Sequence, residues 1–422
     1  MSKMYGRQCV GSQINDNINV EFEKVPAMKN GICQRCNQAS QAFLPNKERY
    51  CRNCIGLGRI CENDYLYRNQ NSKKYDSLPN GGLTWRGKLT EAQEKVSREL
   101  IQSFVDKKDH LVHAVTGAGK TEMLFGVIKE CLKQGKRVAI ATPRIDVVDE
   151  LYPRFCEAFA CAEIGKYHGR EFHEPDDEQF IICTTHQLLK FYRAFDLLVI
   201  DEVDSFPFHE DPVLHFGAQQ AAKVSGSRFY LTATPDENLL KRAKSHKIGY
   251  SLLNRRFHGG LLPVPKNQFY LRPFISKNKL HPKLKAQVEK IIKTKKPLLV
   301  FIPRVAQLPA YHQIFKKNFS DLKIDSVHAA DKKRQEKVLR FRNQELDILL
   351  TTTILERGVT FKSVQVIVVA ADDGIYNTPS LVQIAGRVGR NKNDRSGLVL
   401  FCYHRYTKSL REANYQIRKM NR

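Results

Sequence analysis

The chain of 422 residues is long enough for two large domains and a smaller one, which argues against a single compact domain. Apolar residues make up 42% and charged residues 27%, an ordinary globular usage that excludes extended disorder, collagen and coiled-coil fibres. The 69 lysines and arginines exceed the 44 acidic residues, and the formal net charge of +25 favours a polyanion, nucleic acid first, as partner. That this net charge serves solubility alone is the weaker interpretation, because a net charge of about 2–8 per small domain is enough to keep a protein soluble.

The N-terminal residues are polar and lack the apolar stretch of a signal peptide. No run of about 18 apolar residues occurs anywhere in the chain. We therefore expect a soluble, intracellular protein. The 11 cysteines are an odd number with four of them in CxxC pairs, which indicates a reducing compartment and a metal site rather than a disulfide framework.

Two CxxC pairs lie close together near the N-terminus. Cys33 and Cys36 are separated from Cys51 and Cys54 by 14 intervening residues. Each pair can present two thiolates to one tetrahedral ion. The spacing therefore predicts a zinc ribbon with these four cysteines as the ligands of one structural Zn²⁺.

Composition sets the boundaries around this ribbon. The four-cysteine module is predicted over residues 31–68, between an N-terminal segment, 1–30, and a polar linker, 69–88. Cys9 and Cys61 are weaker candidates for a zinc ligand because neither belongs to a CxxC pair. Redox chemistry of the four thiols is the rival role.

From residue 89 onward, short β-branched runs alternate with helix-length segments, a pattern typical of βαβ units and parallel sheets. The pattern pauses over 246–275, where glycines and prolines accumulate, and then resumes. The sequence thus predicts an α/β protein with two parallel-sheet lobes, 89–245 and 276–422, joined by a linker. The predicted strands are Leu111–Ala114, Arg137–Ala141, Phe180–Cys183, Leu197–Ile200, Arg228–Thr232, Leu298–Ile302, Ile324–Val327, Asp347–Thr351, Gln365–Val369 and Leu398–Cys402.

Residues Ala114–Thr121 read AVTGAGKT and stand between a predicted strand and a helical pattern. A phosphate-binding loop needs this order, because backbone N–H groups of the loop and of the helix N-terminus must face the phosphates. Gly117 and Gly119 permit the tight backbone path, and Lys120 can reach the β- and γ-phosphates. The general pattern expects glycine at position 114 and finds alanine. The predicted nucleotide-binding residues are Thr116, Gly117, Ala118, Gly119, Lys120 and Thr121, whose hydroxyl can also bind Mg²⁺.

An acidic tetrad, DEVD, follows the predicted strand Leu197–Ile200. Carboxylates at the carboxyl end of a buried parallel strand sit where α/β sheets bind ligands. In that position Asp201 would hold Mg²⁺, and Glu202 would orient and deprotonate the attacking water. An acidic turn that caps a helix is the plainer alternative, but the phosphate-binding loop upstream favours catalysis.

In the second predicted lobe, Gln383–Arg390 reads QIAGRVGR. Arg387 and Arg390 are three residues apart, which predicts that both lie on one helical face and point at the γ-phosphate as arginine fingers. A solvated basic face is the plainer alternative for such a pair. In the first lobe, Thr232–Pro235 reads TATP at the end of a predicted strand.

These motifs together resemble the core of a superfamily 2 helicase. AVTGAGKT, DEVD, TATP, TTTILERGVT at 351–360 and QIAGRVGR are similar to its motifs I, II, III, V and VI, in that order. The resemblance spans residues 89 to about 405 and implies two RecA-like lobes, ATP with Mg²⁺, and an ATP hydrolase. It also implies that Gln93, at the end of LTEAQ, reads adenine and that Gly358 of motif V contacts the nucleotide.

Three further segments are similar to motifs Ia, Ib and IV, and they imply that single-stranded nucleic acid crosses both lobes and is held by its backbone. The form QxxGRxGR and the LTxxQ signal favour DNA enzymes over RNA enzymes, by analogy. The implied contact residues are Thr142, Arg144 and Thr185 in the first lobe and Arg304, His328 and Thr352 in the second.

A basic helicase core with a four-cysteine module at its N-terminus resembles the ComFA family of late competence ATPases. The four cysteines match the zinc site of that family residue by residue. Membership implies a cytoplasmic protein at the inner face of the cytoplasmic membrane that helps to draw single-stranded DNA through the ComEC channel. It implies ComFC and DprA as partners and leaves a homo-oligomer open.

Other interpretations of the same chain remain. A PriA-like or RecQ-like helicase in replication restart or repair would share the core, and an ATP-switched DNA-binding adaptor would use it as a conformational switch. Residues 403–422 carry six basic residues and the single acid Glu412, with tyrosines between them. This tail would suit DNA or an anionic membrane surface.

Overall fold

The computed structural model describes residues 4–11, 22–69, 73–169, 177–391, 394–395 and 397–422. Parts of the predicted N-terminal segment, 1–3 and 12–21, and of the predicted linker, 70–72, lie outside these described residues. The chain forms two compact units. The first comprises Met1–His113 and Lys120–Leu252, and the second comprises Ala114–Gly119 and Leu253–Arg422.

Short strands build the four-cysteine module at the start of the first unit. It has a three-stranded antiparallel sheet in the order β1-β7-β2, and two small hairpins, β3-β4 and β5-β6, lie between β2 and β7 in the chain. The strands are β1 (Gln8–Val10), β2 (Glu23–Pro26), β3 (Met28–Lys29), β4 (Ile32–Cys33), β5 (Ala42–Phe43), β6 (Arg49–Tyr50) and β7 (Tyr65–Arg68). A 3₁₀ helix, Arg52–Leu57, begins directly after Cys51 and contains Cys54.

The rest of the first unit is an α/β layer structure. Its elements are α1 (Glu91–Val105), β8 (His110–Ala114), α2 (Lys120–Lys133), β9 (Val138–Thr142), α3 (Ile145–Ala158), β10 (Ile164–Tyr167), β11 (Phe180–Thr184), β12 (Phe195–Asp201), α4 (Pro212–Ala221), β13 (Ala222–Thr232), α5 (Glu237–Lys244) and β14 (Gly249–Leu253). The seven strands lie in the order β10-β11-β9-β12-β13-β8-β14. The first six strands in this order are all parallel to one another. A short 3₁₀ helix, Thr185–Lys190, follows β11.

The second unit is built on the same principle. Its elements are β15 (Lys266–Phe269), β16 (Ile275–Ser276), β17 (Lys279–Leu280), α6 (Pro282–Ile292), β18 (Leu298–Phe301), α7 (Leu308–Asn318), β19 (Ile324–Val327), α8 (Arg334–Arg342), β20 (Ile348–Thr351), β21 (Gln365–Val368), α9 (Thr378–Ala385), β22 (Val399–Tyr403) and α10 (Lys408–Met420). Six strands pair in parallel in the order β15-β22-β21-β18-β20-β19, and β16 and β17 form a hairpin. The helices cover a core of aliphatic and aromatic side chains.

The predicted fold class is confirmed. All ten predicted strands are present, and their continuous apolar runs are buried because parallel strands are covered on both faces. The sequence analysis missed β10, β14 and β15, which are edge strands of the two sheets. Edge strands such as β15, with the sequence KNQF, face solvent and carry no apolar run to identify them. β14 and β15 both lie within the predicted linker, 246–275.

No helix among the described residues is long and apolar enough to span a membrane.

His110 is a buried histidine at the start of β8. Its side chain is 2% exposed, and its Nδ1 and Nε2 atoms lie 2.8 Å from the hydroxyl oxygens of Ser103 and Ser251. Burial lowers its pKa to about 4 because the charged imidazolium would lose its hydration. The folded protein therefore holds this histidine neutral.

This shift predicts a pH-dependent stability. The unfolded chain binds the proton with a pKa of about 6.5, so the contribution of neutral His110 is complete above that pH and is lost progressively as pH falls toward 4. Between pH 7.5 and pH 5 we expect a loss of up to about 2 kcal/mol in the free energy of unfolding. Urea unfolding of the wild type and of His110→Gln checks this, and equal losses in both proteins would contradict it.

Candidate functional site

The predicted phosphate-binding loop links the end of β8 to the start of α2. Gly117 and Gly119 have φ values of 78° and 74°, in the left-handed region that side chains other than glycine rarely adopt. Val115 N–H donates to the carbonyl of Leu253 at 3.0 Å, and Phe257 N–H donates to the carbonyl of Gly117 at 3.1 Å. Two of the predicted residues thus allow the tight turn that phosphate binding requires.

Lys120 and Asp201 form an ion pair in the first unit. Lys120 begins α2, Asp201 ends β12, and Nζ lies 3.2 Å from Oδ1. Their side chains are 18% and 14% exposed, so the pair is only partly screened by water. In this arrangement the ammonium can exchange a carboxylate for a phosphate, which releases the carboxylate to bind a cation. Thr121, which is predicted to bind the same cation, follows Lys120 in α2 and is buried.

Glu202 follows Asp201 directly and has a φ of 55°. A left-handed backbone at a residue other than glycine costs about 1–2 kcal/mol, and such strain is common at functional sites. The backbone N–H of Glu202 donates to Oδ1 of Asp201 at 2.9 Å, which holds this turn in place.

Asp204 is a buried residue of the tetrad whose role the sequence analysis missed. Its carboxylate accepts hydrogen bonds from the hydroxyls of Thr232 at 2.7 Å and Thr234 at 2.6 Å. It therefore ties the acidic tetrad to the TATP segment at the end of β13. The sequence did contain a signal for this contact, because an acidic residue and two hydroxyl residues follow strands that are neighbours in the sheet.

Gln93 caps the helix in which it lies. Its Oε1 accepts hydrogen bonds from the backbone N–H of Thr90 at 2.9 Å and from the hydroxyl of Thr90 at 3.1 Å. The backbone N–H of Gln93 donates in return to the Thr90 hydroxyl, which completes a capping box. Its side chain is thus held in one orientation, and its contact with adenine stays a prediction.

The prediction that Arg387 and Arg390 lie on one helical face was wrong, whereas their role as arginine fingers stays a prediction. Helix α9 ends at Ala385, and both arginines lie in the turn that follows. Gly389 adopts a φ of 71°, and a Cβ on Gly386 would lie 2.0 Å from the hydroxyl oxygen of Thr116. Gly386, at the C-cap of α9, allows this close approach because it has no Cβ, and Gly389 allows the turn that follows.

Both arginines bind backbone carbonyls in the second unit. Arg387 is 2% exposed, its Nε donates to the carbonyl of Glu356 at 2.9 Å, and its Nη1 donates to the carbonyl of Val359. Arg390 donates from Nε to the carbonyl of Gly386 at 3.0 Å. Gly358, with a φ of 75°, lies between the two segments that bind Arg387. The predicted motifs V and VI are thus hydrogen-bonded to each other.

Arg256 supports the same turn and was not identified from the sequence. Its side chain is buried and donates to the carbonyl of Val388 at 2.6 Å and to that of Gly386 at 3.1 Å. Burial, together with the charge of Arg390, lowers its pKa to about 9. A lone arginine in a predicted linker belongs to no pattern, so only the fold could reveal it.

The predicted nucleic-acid residues of the first unit follow two neighbouring strands. Thr142 ends β9 and Thr185 follows β11, while Arg144 precedes α3. Thr142 and Thr185 are fully buried, and neither hydroxyl has a hydrogen-bond partner among the described residues. A buried hydroxyl without a partner costs about 1–3 kcal/mol, so this pair calls for an explanation.

The predicted residues of the second unit lie at the corresponding edge of its sheet. Arg304, His328 and Thr352 follow β18, β19 and β20, which are neighbours in the sheet. Arg304 is largely exposed and pairs with Asp373, whose carboxylate oxygens lie 3.2 and 3.3 Å from its Nε and Nη2 atoms. Parallel strands therefore bring all three residues to one edge.

The four predicted zinc ligands lie together. The sulfur atoms of Cys33, Cys36, Cys51 and Cys54 all lie within 4.8 Å of one another, and all four side chains are buried. The Cys36–Cys51 and Cys33–Cys54 sulfur distances are 3.5 and 3.8 Å. A tetrahedral ion with bonds of about 2.3 Å to sulfur requires sulfur separations of about 3.8 Å, so the cluster fits zinc.

Two protein families match the chain. Residues 86–237 match the family described as type III restriction enzyme, res subunit, and residues 283–392 match the helicase conserved C-terminal domain. The first match contains the Lys120–Asp201 pair and the second contains most of the buried arginine turn.

Full-length relatives decide the family. The competence protein ComFA of Streptococcus pneumoniae is 40% identical over 429 residues, covering 99% of this chain and 97% of that protein. ComFA of Bacillus subtilis is 40% identical over 399 residues, covering 92% and 85%. The chain belongs to the ComFA family. The resemblance inferred from its motifs is thereby confirmed, and this ComFA family member is an ATP-hydrolysing enzyme that depends on nucleic acid.

Solved structures share the fold. Dbp5 of Saccharomyces cerevisiae bound to RNA and ADP BeF3 is 14% identical with a TM-score of 0.58, covering 79% of this chain and 88% of that one. Lhr of Mycobacterium smegmatis bound to single-stranded DNA and AMP-PNP is 15% identical with a TM-score of 0.58, covering 79% and 50%. The two lobes therefore have the helicase architecture.

The buried hydroxyl of Thr142 leads to a prediction about stability and binding. Thr142→Val removes an unpartnered polar atom at nearly constant volume, so the free energy of unfolding should stay the same or rise. If that hydroxyl bonds a phosphate in the complex, affinity for single-stranded DNA should fall about tenfold.

Urea unfolding and fluorescence anisotropy measure the two effects, and Thr232→Val is the matched control. Its hydroxyl is equally buried but donates to Asp204, so its loss should destabilise the protein by about 1–3 kcal/mol. A destabilised Thr142→Val with unchanged DNA affinity would contradict this assignment.

The cysteine cluster predicts the result of removing one ligand. Cys51→Ser should lose the zinc ion and expose residues 31–61 to protease, because metal binding contributes folding energy to such modules. Cys61→Ser is the control, since Cys61 is buried in the same module but lies outside the cluster. Bound zinc per chain is the measurement, and retention of zinc by Cys51→Ser would remove that residue from the ligand set.

Proposed function

We propose that this member of the ComFA family is an ATP-driven translocase on single-stranded DNA that helps to import transforming DNA during competence. The observation that carries the proposal is the placement of Thr142 and Asp201 on adjacent strands of one parallel sheet. β9 pairs with β12 in register through Ala141 and Ile200. A change at the nucleotide can therefore reach the DNA contacts across one strand spacing of about 4.8 Å.

The residues divide the chemistry of hydrolysis among them. Lys120 would bind the β- and γ-phosphates after it leaves Asp201, and Glu202 would orient the attacking water and accept its proton. Mg²⁺, when bound by Thr121 and Asp201, would neutralise charge on the phosphates. Arg387 and Arg390 would stabilise the charge that develops on the γ-phosphate, which requires them to exchange backbone carbonyls for phosphate oxygens.

Asp204 offers a path from hydrolysis to movement. It is bonded both to Thr232 and to Thr234, so a displacement of the acidic tetrad would move the TATP segment with it. ATP would close the two lobes and hydrolysis would reopen them, and this alternation would advance the strand. The net charge of +25 supports a polyanionic track.

The setting of this activity follows from the family. We propose that the protein acts in the cytoplasm at the inner face of the membrane, with ComEC, ComFC and DprA as partners. Support for a membrane contact comes from α10, whose buried residues Leu410, Ala413 and Ile417 leave its basic residues outward. Basic side chains on such a face attract anionic lipid or DNA.

The first test is the ATPase rate without nucleic acid and with single-stranded DNA, duplex DNA or single-stranded RNA at fixed salt. We expect strong stimulation by single-stranded DNA, and a fall of at least about 100-fold in Lys120→Ala because the phosphate charge loses its counter-charge. Lys133→Ala is the control, since Lys133 is an exposed lysine of the same helix.

Other outcomes would redirect the proposal. Stimulation intact in Lys120→Ala would exclude the assigned ATP site. No stimulation by any nucleic acid would favour the ATP-switched adaptor, and displacement of a strand from a forked duplex would favour a helicase of replication restart or repair.

A further inference from the structure

The four-cysteine module forms a wall of an open cleft in the first unit. The cleft has a volume of about 640 Å³. Gln38, Asn53 and Leu57 line it from the module. Pro143 and His186, which follow β9 and β11, line it from the opposite side, and the start of α4 closes it. Module and sheet edge therefore face a common space.

A relay of hydrogen bonds fixes the module to this sheet edge. Gln8 donates from Nε2 to the carbonyl of Leu189 at 3.0 Å, and Arg68 donates from Nε to Oε1 of Gln8 at 3.3 Å. Arg68 also donates from Nη2 to the carbonyl of Gln34, next to Cys33, at 3.1 Å. The relay joins the first cysteine pair to the 3₁₀ helix Thr185–Lys190, which contains a predicted DNA contact.

The apolar core reinforces this attachment. The four buried cysteines belong to one continuous cluster with Leu189, Phe191 and Leu214 of the parallel-sheet part of the unit. Burying such side chains contributes about 1.5–3 kcal/mol each relative to exposure. The module is therefore a rigid part of the first unit, and the cleft that it borders has a fixed wall.

The chemistry of the cleft suits a nucleic-acid backbone. Asn53 and Gln38 present amides, which can donate hydrogen bonds to phosphate oxygens. The acid of the lining, Asp211, already accepts a hydrogen bond from the backbone N–H of Val213 at 2.8 Å. Residues 31–61 carry five basic side chains and one acidic one. This positive balance favours a polyanion over a basic peptide as the ligand of the module.

A second cleft extends the path across the module. It has a volume of about 370 Å³, shares Asn53 with the first cleft and adds the side chain of Arg52. Both residues are exposed on the 3₁₀ helix Arg52–Leu57, between the two cysteines of the second pair. A strand leaving the sheet edge would thus meet two amides and then a guanidinium.

We propose that the zinc-binding module is part of the single-stranded DNA site, with Gln38, Arg52 and Asn53 contacting the strand beside Pro143 and His186. This inference rests on the proposed function, because it assigns a further surface to the same DNA. It makes the module a fixed side of the DNA path, and docking of a protein partner on this surface is the competing outcome.

The test uses the full-length, zinc-loaded protein and a fluorescein-labelled oligothymidylate in anisotropy titrations at several salt concentrations. Asn53→Asp should weaken binding about tenfold, because it places a like charge beside phosphate at constant size. Arg52→Ala should reduce the slope of log K against log salt by about 0.7, the value for one phosphate contact on a single strand. Arg59→Ala is the matched control, since Arg59 is an exposed arginine of the module outside both clefts.

Zinc content separates a lost contact from a damaged module, and each variant should keep one ion per chain. If Asn53→Asp loses zinc, Gln38→Glu tests the same wall from outside the cysteine pairs, and it should also weaken binding about tenfold. Wild-type affinity and salt slope in zinc-loaded Arg52→Ala and in the acidic variants would overturn the inference, while the proposed function would stand. A wild-type protein that does not bind the oligothymidylate would instead refute the proposed function.

Discussion

Parallel strand pairing is the constraint on which the functional regions of this protein depend. In a parallel sheet every carboxyl end lies at the same edge, so segments that are far apart in sequence meet there. β9, β12 and β13 are neighbours, and they deliver Thr142, Asp201 and Thr232 to one edge. The second sheet does the same for the segments after β18, β20 and β19. The predicted catalytic residues and the predicted DNA contacts therefore depend on the same topological rule in both sheets.

Buried polar groups at these edges differ in whether their partners are present. Asp204 accepts hydrogen bonds from two hydroxyls, and Nη1 and Nη2 of Arg256 donate to two backbone carbonyls of the turn that carries the paired arginines, while its Nε has no partner among the described residues. Such bonds hold a segment in one position, because breaking them would leave a buried group unpaired. The hydroxyls of Thr142 and Thr185 lack a partner in the described part of the chain. The bonded groups therefore hold the structure, whereas the role of the two threonine hydroxyls in DNA binding stays a prediction.

The cysteine module shows how a small domain can gain a fixed position. A segment this short has too little apolar area to fold alone, so the core that it shares with the sheet stabilises it, and the proposed zinc ion would add to that stability. Its cysteines join the cluster of Leu189 and Phe191, and Gln8 and Arg68 link it to the sheet edge. The module is therefore oriented by its contacts with Leu189 and Phe191, which follow β11 in the chain. Its position beside the predicted DNA contacts is a consequence of this packing.

Local patterns determined much of this protein. Apolar runs identified the buried strands, glycines marked the phosphate-binding loop, and paired CxxC spacings identified the cysteine cluster, because each depends on neighbours within a few residues. Tertiary contacts decided the rest. Helix α9 ends at Ala385, before Arg387, Asp204 finds its hydroxyl partners at the end of another strand, and Arg256 lies in no pattern at all. The sequence alone thus determined which chemical groups are present, whereas packing between distant segments decided which of them meet. Those contacts join residues that are far apart in the chain, so the periodicity of a helix or a strand does not relate them.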